Sequence, residues 1–429
     1  MKNAILWYEV KNFGSFGDEG GLVDLTTSKK DRYKDLWQEC GGHQVNLITA
    51  IMGANASGKT TLLKPLPFLG WLFWNIPARA SEPLYINTNK IDNCFSKIRM
   101  NFLLDGDEYL YEITANEFLI YEENLFLKNK SKKFIYVFKR KLTNASMNSI
   151  LRKLSTYESY TKLDDPRIEE LHLGVLYEYT EKSDIFPLGE KEALRTPCNT
   201  SIISAARRIN ITLANSIAYS IICFTNIHST GRRSSTEYNL SDIAMMLDMN
   251  SVLFDKLKNQ IKKWDLGLHD ITINKETRIN ELGQNKNHYS LNGLHSCENG
   301  GQFTLPFFLE SAGTQSALIR LYEILNALES GNPCFIDELG DDLHPHMMKP
   351  ILELFTNKES NPHGSQLVFT CHKPELINYL GKYRIIITEK KNNRSECFRL
   401  DDFPSTEARA DENLAAKYLA GAFGGVPEL

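Results

Sequence analysis

The chain has 429 residues, 42% of them apolar and 24% charged, and a formal net charge of −4. This composition excludes a disordered or collagen-like chain, and the length exceeds what one ordinary core needs, so two lobes or one large domain with an insertion are expected. The slight acidity excludes a global attraction to nucleic acid and leaves that role to local basic patches. Eight cysteines are scattered without a CxxC pair, which argues against a zinc site or a disulfide framework and fits a reducing cytoplasm. The N-terminus has no secretory apolar core. The most apolar run, residues 65–78, holds three prolines and is too short to span a bilayer. A cytoplasmic protein with no membrane contact is expected.

In chain order, Ile5–Val10 reads as a strand that runs into the corner Lys11-Asn12-Phe13-Gly14-Ser15-Phe16. Residues 19–41 are polar and read as a loop or short hairpin. Val45–Met52 is a buried strand, and Gly53-Ala54-Asn55-Ala56-Ser57-Gly58-Lys59-Thr60 follows it directly. A strand, a glycine loop and a helix start make an anion site. The glycines let successive N–H groups curl around phosphate oxygens, and the helix N-terminus adds unpaired donors and a positive dipole end. Gly53, Asn55, Ala56, Ser57, Gly58, Lys59, Thr60 and Thr61 are the expected binding residues. Lys59 would reach the β- and γ-phosphates, and the Thr60 hydroxyl would ligate magnesium.

Pro65 and Pro67 fall within the first two turns of the following helix. Pro65 removes an N–H and clashes with the preceding turn, so a kink or early stop is expected. Phe68 to Trp74 form an aromatic cluster that suits core packing between lobes. Residues 97–141 read as an antiparallel meander, with Asp105-Gly106 as a hairpin turn. Lys128, Lys130, Lys132, Lys133, Lys139, Arg140 and Lys141 fall in its last stretch. They suit either a solvated hairpin or a contact to a nucleic-acid backbone.

From 144 to 265 helical periods dominate: Ile150–Tyr160, Ile202–Thr225 and Ser241–Trp264, the last with Ser241 as N-cap. No sustained heptad runs through them, which argues against a long coiled-coil arm. This stretch reads as a compact helical insertion suited to partner recognition, with Arg207-Arg208 and Arg232-Arg233 as surface arginines or as contacts to nucleotide or partner. Strand character returns at 266, and Tyr289–His295, across Asn292-Gly293, reads as a hairpin. The domain expectation is therefore 1–143 and 266–429 as two parts of one head, separated by 144–265.

Three motifs then follow. Ser311 and Gly313 stand at the start of a helical run, where a second phosphate-facing cap can form. Cys334–Ile336 is a short apolar strand that delivers Asp337 and Glu338. Asp337 suits magnesium and Glu338 suits a general base for water, because a carboxylate that ligates metal is a poorer base. Gln366–Cys371 is a strand that ends at His372.

Together these residues resemble the ABC-like ATPases called AAA family fifteen, related to the OLD (overcoming lysogenization defect) ATPases. The resemblance rests on Glu9–Phe16, Met52–Lys59, Glu310–Thr314, Asp337-Glu338 through His344-Pro345, and the tail Tyr418–Pro427, and covers about half the chain. It implies an α/β ABC-type head with a mixed sheet, an antiparallel β subdomain and a helical insertion. It also implies ATP and magnesium as ligands. Ser311 and Gly313 would close over ATP held by another subunit's Lys59 and Thr60, His372 would contact the γ-phosphate, and Leu339–Pro345 would cross a homodimer. Gly14 stands where many relatives carry a basic residue, and Cys371 where a threonine is common. Such ATPases often serve in bacterial phage defence beside a separate toxin or nuclease that acts in trans. Only 57 residues follow His372, too few for the Toprim nuclease that some OLD relatives carry. A DNA-repair or DNA-end-binding ATPase that uses the Lys128–Lys141 hairpin is the other expectation.

Overall fold

The structure is a computed structural model that describes residues 3–79, 82–89, 95–146, 148–149, 175–228, 231–233, 237–264, 267–279, 285–297, 300–341, 343, 345–404, 407–409 and 412–426. Its centre is a six-stranded sheet in the spatial order Phe224–Thr225, Cys334–Ile336, Leu367–Thr370, Ile48–Gly53, Ile385–Lys391, Arg394–Arg399. All neighbours are parallel except the last pair. Side chains alternate between the two faces with the strand period of two. Ile51, Phe335, Val368 and Ile386 pack into one apolar cluster. Ala50, Met52, Ile336, Phe369 and Ile387 pack into the other. Burial on both faces explains why these strands read as near-continuous apolar runs.

The second sheet is antiparallel and seven-stranded, in the order Tyr177–Glu181, Phe134–Leu142, Ile120–Lys128, Asp107–Ala115, Ser96–Leu104, Ala4–Lys11, Gly21–Asp24. The expected meander is there, and Asp105 and Gly106 both take positive φ (52° and 94°), as a tight Asp-Gly hairpin turn needs. Gln366 stitches the two sheets together. Its amide donates to the carbonyls of Ile5 and Asn46 at 3.0 and 3.2 Å and accepts from the Ile5 N–H at 2.8 Å.

The stretch 144–265 differs from the expected compact insertion. Its Tyr177–Glu181 strand extends the antiparallel sheet, and Phe224–Thr225 is the edge of the parallel one. The helices Ile202–Arg208 and Thr212–Ser220 bury Ile203, Ala206 and Ile217 in the antiparallel lobe. Leu240–Met249 and Ser251–Trp264 bury Leu247, Leu257 and Ile261 on the opposite face of the parallel sheet. The apolar faces are thus shared between two cores. Asn239, not Ser241, caps the Leu240–Met249 helix, accepting from the Ser241 N–H at 3.0 Å. The helix expected at Ile150–Tyr160 lies outside the described residues.

Asn292-Gly293 is not a turn either. Both residues sit inside the Asn285–Ser296 strand, paired with Leu268–Ile279 and Gln302–Pro306. Gly293 is needed for space, since a Cβ there would lie 2.3 Å from Glu310 Oε1.

Candidate nucleotide site

The loop leaves the C-terminal end of the central strand and enters a short helix, Lys59–Leu63. Gly53, Ala56 and Gly58 take φ of 151°, 60° and 112°. These turns curl the chain back on itself and leave the helix start facing the loop mouth. Asn55 and Ala56 are exposed at the mouth, and Ser57 is buried. The Ser57 hydroxyl lies 2.5 Å from Thr388 Oγ1 on the neighbouring strand, so this side chain braces the loop and only its backbone is left to face a ligand. Lys59 is buried, and its ammonium donates to the Gly53 and Ala54 carbonyls at 3.0 and 2.9 Å. Burial pushes its pKa down, opposed by the charge of Asp337.

Asp337 and Glu338 arrive from the Cys334–Ile336 strand. Thr60 Oγ1 donates to Asp337 Oδ2 at 2.9 Å, and Thr370 Oγ1 donates to Asp337 Oδ1 at 2.6 Å. A hydroxyl and a carboxylate at this spacing are hard oxygen ligands that fit magnesium completed by phosphate oxygens and water. Among the described residues no group of three or more His, Cys, Asp or Glu could hold a metal ion.

Asn226 went unnoticed in the sequence. It is fully buried; its amide donates to the Asp337 carbonyl at 2.9 Å and accepts from the Asp337 N–H at 2.8 Å. Thr370 also accepts the Glu338 N–H at 2.7 Å. These bonds hold Glu338 at φ 51°, a strained conformation of the kind that collects at functional sites. The Glu338 carboxylate is paired with Arg232.

His372 follows the Leu367–Thr370 strand and is exposed. It borders a cleft of about 460 Å³ together with Gly53, Ala54, Asn55, Tyr418 and Gly425. Partial burial first, and the Lys59 cation second, hold its pKa below the usual histidine value. The tail is a wall of this cleft: Tyr418 Oη donates to the Gly425 carbonyl at 3.2 Å and closes the turn after the Leu414–Leu419 helix. Gly14 has φ 57°, and a Cβ there would lie 2.6 Å from Thr61 Cγ2. No basic side chain fits at this corner, so the departure from the resembled pattern is built into the backbone.

Ser311 caps the 19-residue helix Ala312–Ser330, accepting from the Thr314 N–H at 3.1 Å. Among the described residues, neither Ser311 nor Gly313 hydrogen-bonds the loop 53–61. Lys59, Thr60, Asp337 and Glu338 thus meet at the ends of neighbouring strands with His372 close by, while the Ser311 cap stands apart and exposed.

Three of the seven basic residues of the hairpin are occupied. Arg140 is fully buried, donating to the carbonyls of Thr196, Pro197 and Thr200 and lying 3.8 Å over the Tyr177 ring. Lys128 pairs with Glu108 at 2.7 Å, and Lys141 with Glu122 at 3.9 Å. Arg140 is therefore a core residue and not part of a basic surface.

Residues 48–378, about three quarters of the chain, match the family described as "AAA domain, putative AbiEii toxin, Type IV TA system". The chain belongs to this AAA-domain family. It is a P-loop ATPase by family, and its architecture joins a mixed, mainly parallel sheet to an antiparallel one. No curated protein matches it. Similar solved structures include the SMC head domain from Thermotoga maritima, at 12% identity over 92% of this chain and 98% of that one, with a TM-score of 0.38. The Pyrococcus furiosus Smc head with an extended coiled coil, bound to the C-terminal domain of ScpA, gives 11%, 92%, 96% and 0.43. The Pyrococcus yayanosii Smc head with a coiled coil and joint gives 11%, 98%, 99% and 0.43. Among the described residues no helix is long and apolar enough to cross a membrane.

Proposed function

We propose that this AAA-family protein binds and hydrolyses ATP between two copies of itself, and that closure of the pair controls a separate toxic effector in bacterial antiphage defence. The observation that carries the ATPase reading is the Thr60–Asp337–Thr370 cluster beside Lys59 at the mouth of the loop. Lys59 and the loop N–H groups hold the phosphates. Thr60 and Asp337 hold the magnesium ion, which supplies charge neutralisation on the β- and γ-phosphates. Glu338 takes the proton of the attacking water, and His372, neutral near pH 7, donates to the γ-phosphate edge.

The two-copy reading is supported by the exposed Ser311 cap and by the apolar side chains next to it. Phe308 and Leu309 are 67% and 58% exposed, on a turn fixed by Gln315, whose amide donates to the carbonyls of Phe308 and Glu310 at 3.0 and 2.8 Å. A fixed apolar step beside a phosphate-facing helix end suits burial against a second surface. The family's description as a toxin–antitoxin component supports the defence setting.

Mixing Lys59→Ala subunits with Ser311→Arg subunits tests the arrangement. Each is inactive alone, and the mixture regains turnover because one composite site per mixed pair is intact; no recovery overturns the two-copy reading. Expression of the chain with and without its neighbouring gene tests the effector role, and growth arrest by this chain alone would make it the toxin itself.

A further inference from the structure

The carboxylate assigned to the attacking water already has a partner. Arg232 pairs with Glu338, and the same guanidinium nitrogen donates to Asp341 Oδ2 at 2.8 Å. Arg232 lies on the two-residue strand Gly231–Arg232, paired with Ile227–His228 just after Asn226. The next residue, Arg233, donates its N–H to the Asn226 carbonyl at 2.7 Å. One segment therefore grips Asp337 by its backbone and Glu338 by its charge. It also reaches the Ala312–Ser330 helix. The Arg233 guanidinium lies 4.1 Å over the Tyr238 ring. Tyr238 Oη donates to Glu323 and accepts from Arg320 Nη1 at 3.3 Å, and Arg320 and Glu323 are buried on the Ala312–Ser330 helix, paired at 2.8 Å.

We propose that Arg232 is a positioning residue that withholds Glu338 in a lone subunit and releases it when a second copy closes. This rests on the two-copy reading above. A guanidinium paired with a carboxylate stabilises its charged form and so makes it a weaker base for the proton of a water. Asp341 shares the guanidinium and lies in the stretch expected to meet the second subunit. Tyr238 ties the same segment to the helix whose N-terminus would cap the other nucleotide. Engagement at either end draws Arg232 away from Glu338, so the base is exposed only where a complete site exists.

The test is steady-state ATP turnover measured from dilute to concentrated protein. Arg232→Ala is expected to raise turnover in dilute protein about 2–5-fold, the factor by which an exposed ion pair can bias an equilibrium. The concentration dependence flattens, KM stays at the wild-type value, and the melting temperature moves little because the pair is only partly buried. Arg232→Lys, which restores a cation without the fork, falls between. Arg232→Ala with Glu338→Gln is as slow as Glu338→Gln alone. Turnover of Arg232→Ala equal to or below wild type in dilute protein overturns the proposal while leaving the ATPase reading intact, provided wild type hydrolyses ATP and Glu338→Gln does not. If neither wild type nor Arg232→Ala hydrolyses ATP, both fall together.

Discussion

Replacing Thr370 by valine keeps the shape of a fully buried side chain and removes one oxygen. That oxygen donates to Asp337 Oδ1 at 2.6 Å and accepts from the Glu338 N–H at 2.7 Å. Losing a hydrogen bond to a charged group costs about 1.5–3 kcal/mol, and leaving a buried N–H without an acceptor costs about 1–3 kcal/mol more. The added methyl returns roughly 0.8 kcal/mol of apolar burial. The net expectation is a loss of about 2–5 kcal/mol, read as a lower urea midpoint at unchanged slope. The same change also frees the Asp337 carboxylate to rotate, and loss of such an outer partner lowers metal affinity about 10–100-fold. Magnesium dependence of nucleotide binding measures that second effect. Thr49 supplies the control. It lies on the adjacent strand opposite Val368, is equally buried, and its hydroxyl has no partner. Thr49→Val is therefore expected to be neutral or stabilising. If Thr370→Val and Thr49→Val shift the midpoint equally, the Asp337–Thr370–Glu338 account is wrong.

Glu338→Gln keeps the size of the side chain and removes the proton acceptor; turnover is expected to fall at least about 100-fold while ATP stays bound, and a wild-type rate would remove Glu338 from the chemistry. Asp31→Asn strands the fully buried Arg384 guanidinium and is expected to cost about 3–5 kcal/mol, whereas Asp31→Leu with Arg384→Met should recover most of it in the same denaturation experiment. Glu123 is buried, and burial raises its pKa above the ordinary 4.5 against the opposing Ile202 N–H, Ser201 hydroxyl and Arg140 charge. The native state then binds more protons than the unfolded chain between 4.5 and the raised value, so this contribution to stability is present at low pH and lost as pH rises through the raised value. Glu123→Gln is expected to remove that component of the pH slope, and identical slopes in the two proteins would exclude it.

What was legible in the sequence is local. The loop 53–60, the Ser311 cap, the Asp105-Gly106 turn and the break at Pro65 each depend on residues within about one or two turns of each other, where spacing and residue type decide the backbone. Asn226 was not legible, because its partner lies 111 positions away and nothing in its own neighbourhood marks it. For the same reason Arg232, 109 positions from Asp341, reads either as a surface arginine or as a contact to nucleotide or partner. Asn292-Gly293 misled because a glycine that makes space and a glycine that turns the chain look alike in sequence. The helical stretch misled differently: periodicity says which face of a helix is apolar, but not which of two sheets it covers.

The prolines behind the loop take their meaning from the fold. Pro65 has no N–H, so the first helix ends at Leu63 and Pro65 begins a second, Pro65–Trp74, at the position where a missing donor costs nothing. The chain is redirected there into the antiparallel lobe. Trp74 Nε1 donates to the Ala218 carbonyl at 3.2 Å, Arg207 lies 3.4 Å over the Trp74 ring and donates to the Phe73 carbonyl at 3.0 Å, and the Tyr8 hydroxyl donates to the Leu62 carbonyl at 2.8 Å. The helix that carries Lys59 and Thr60 is therefore short; the opening strand fixes its far end, and the helices at 202–220 fix the end of the helix after it. On the opposite flank, Ser57 is braced on Thr388. A loop held at both ends leaves Lys59, on its two carbonyls, as the group best placed to move when phosphate arrives. Asp337 is held from the side by Asn226 and Thr370, and Thr370 also fixes the Glu338 N–H, so the carboxylate proposed for magnesium is set before nucleotide arrives.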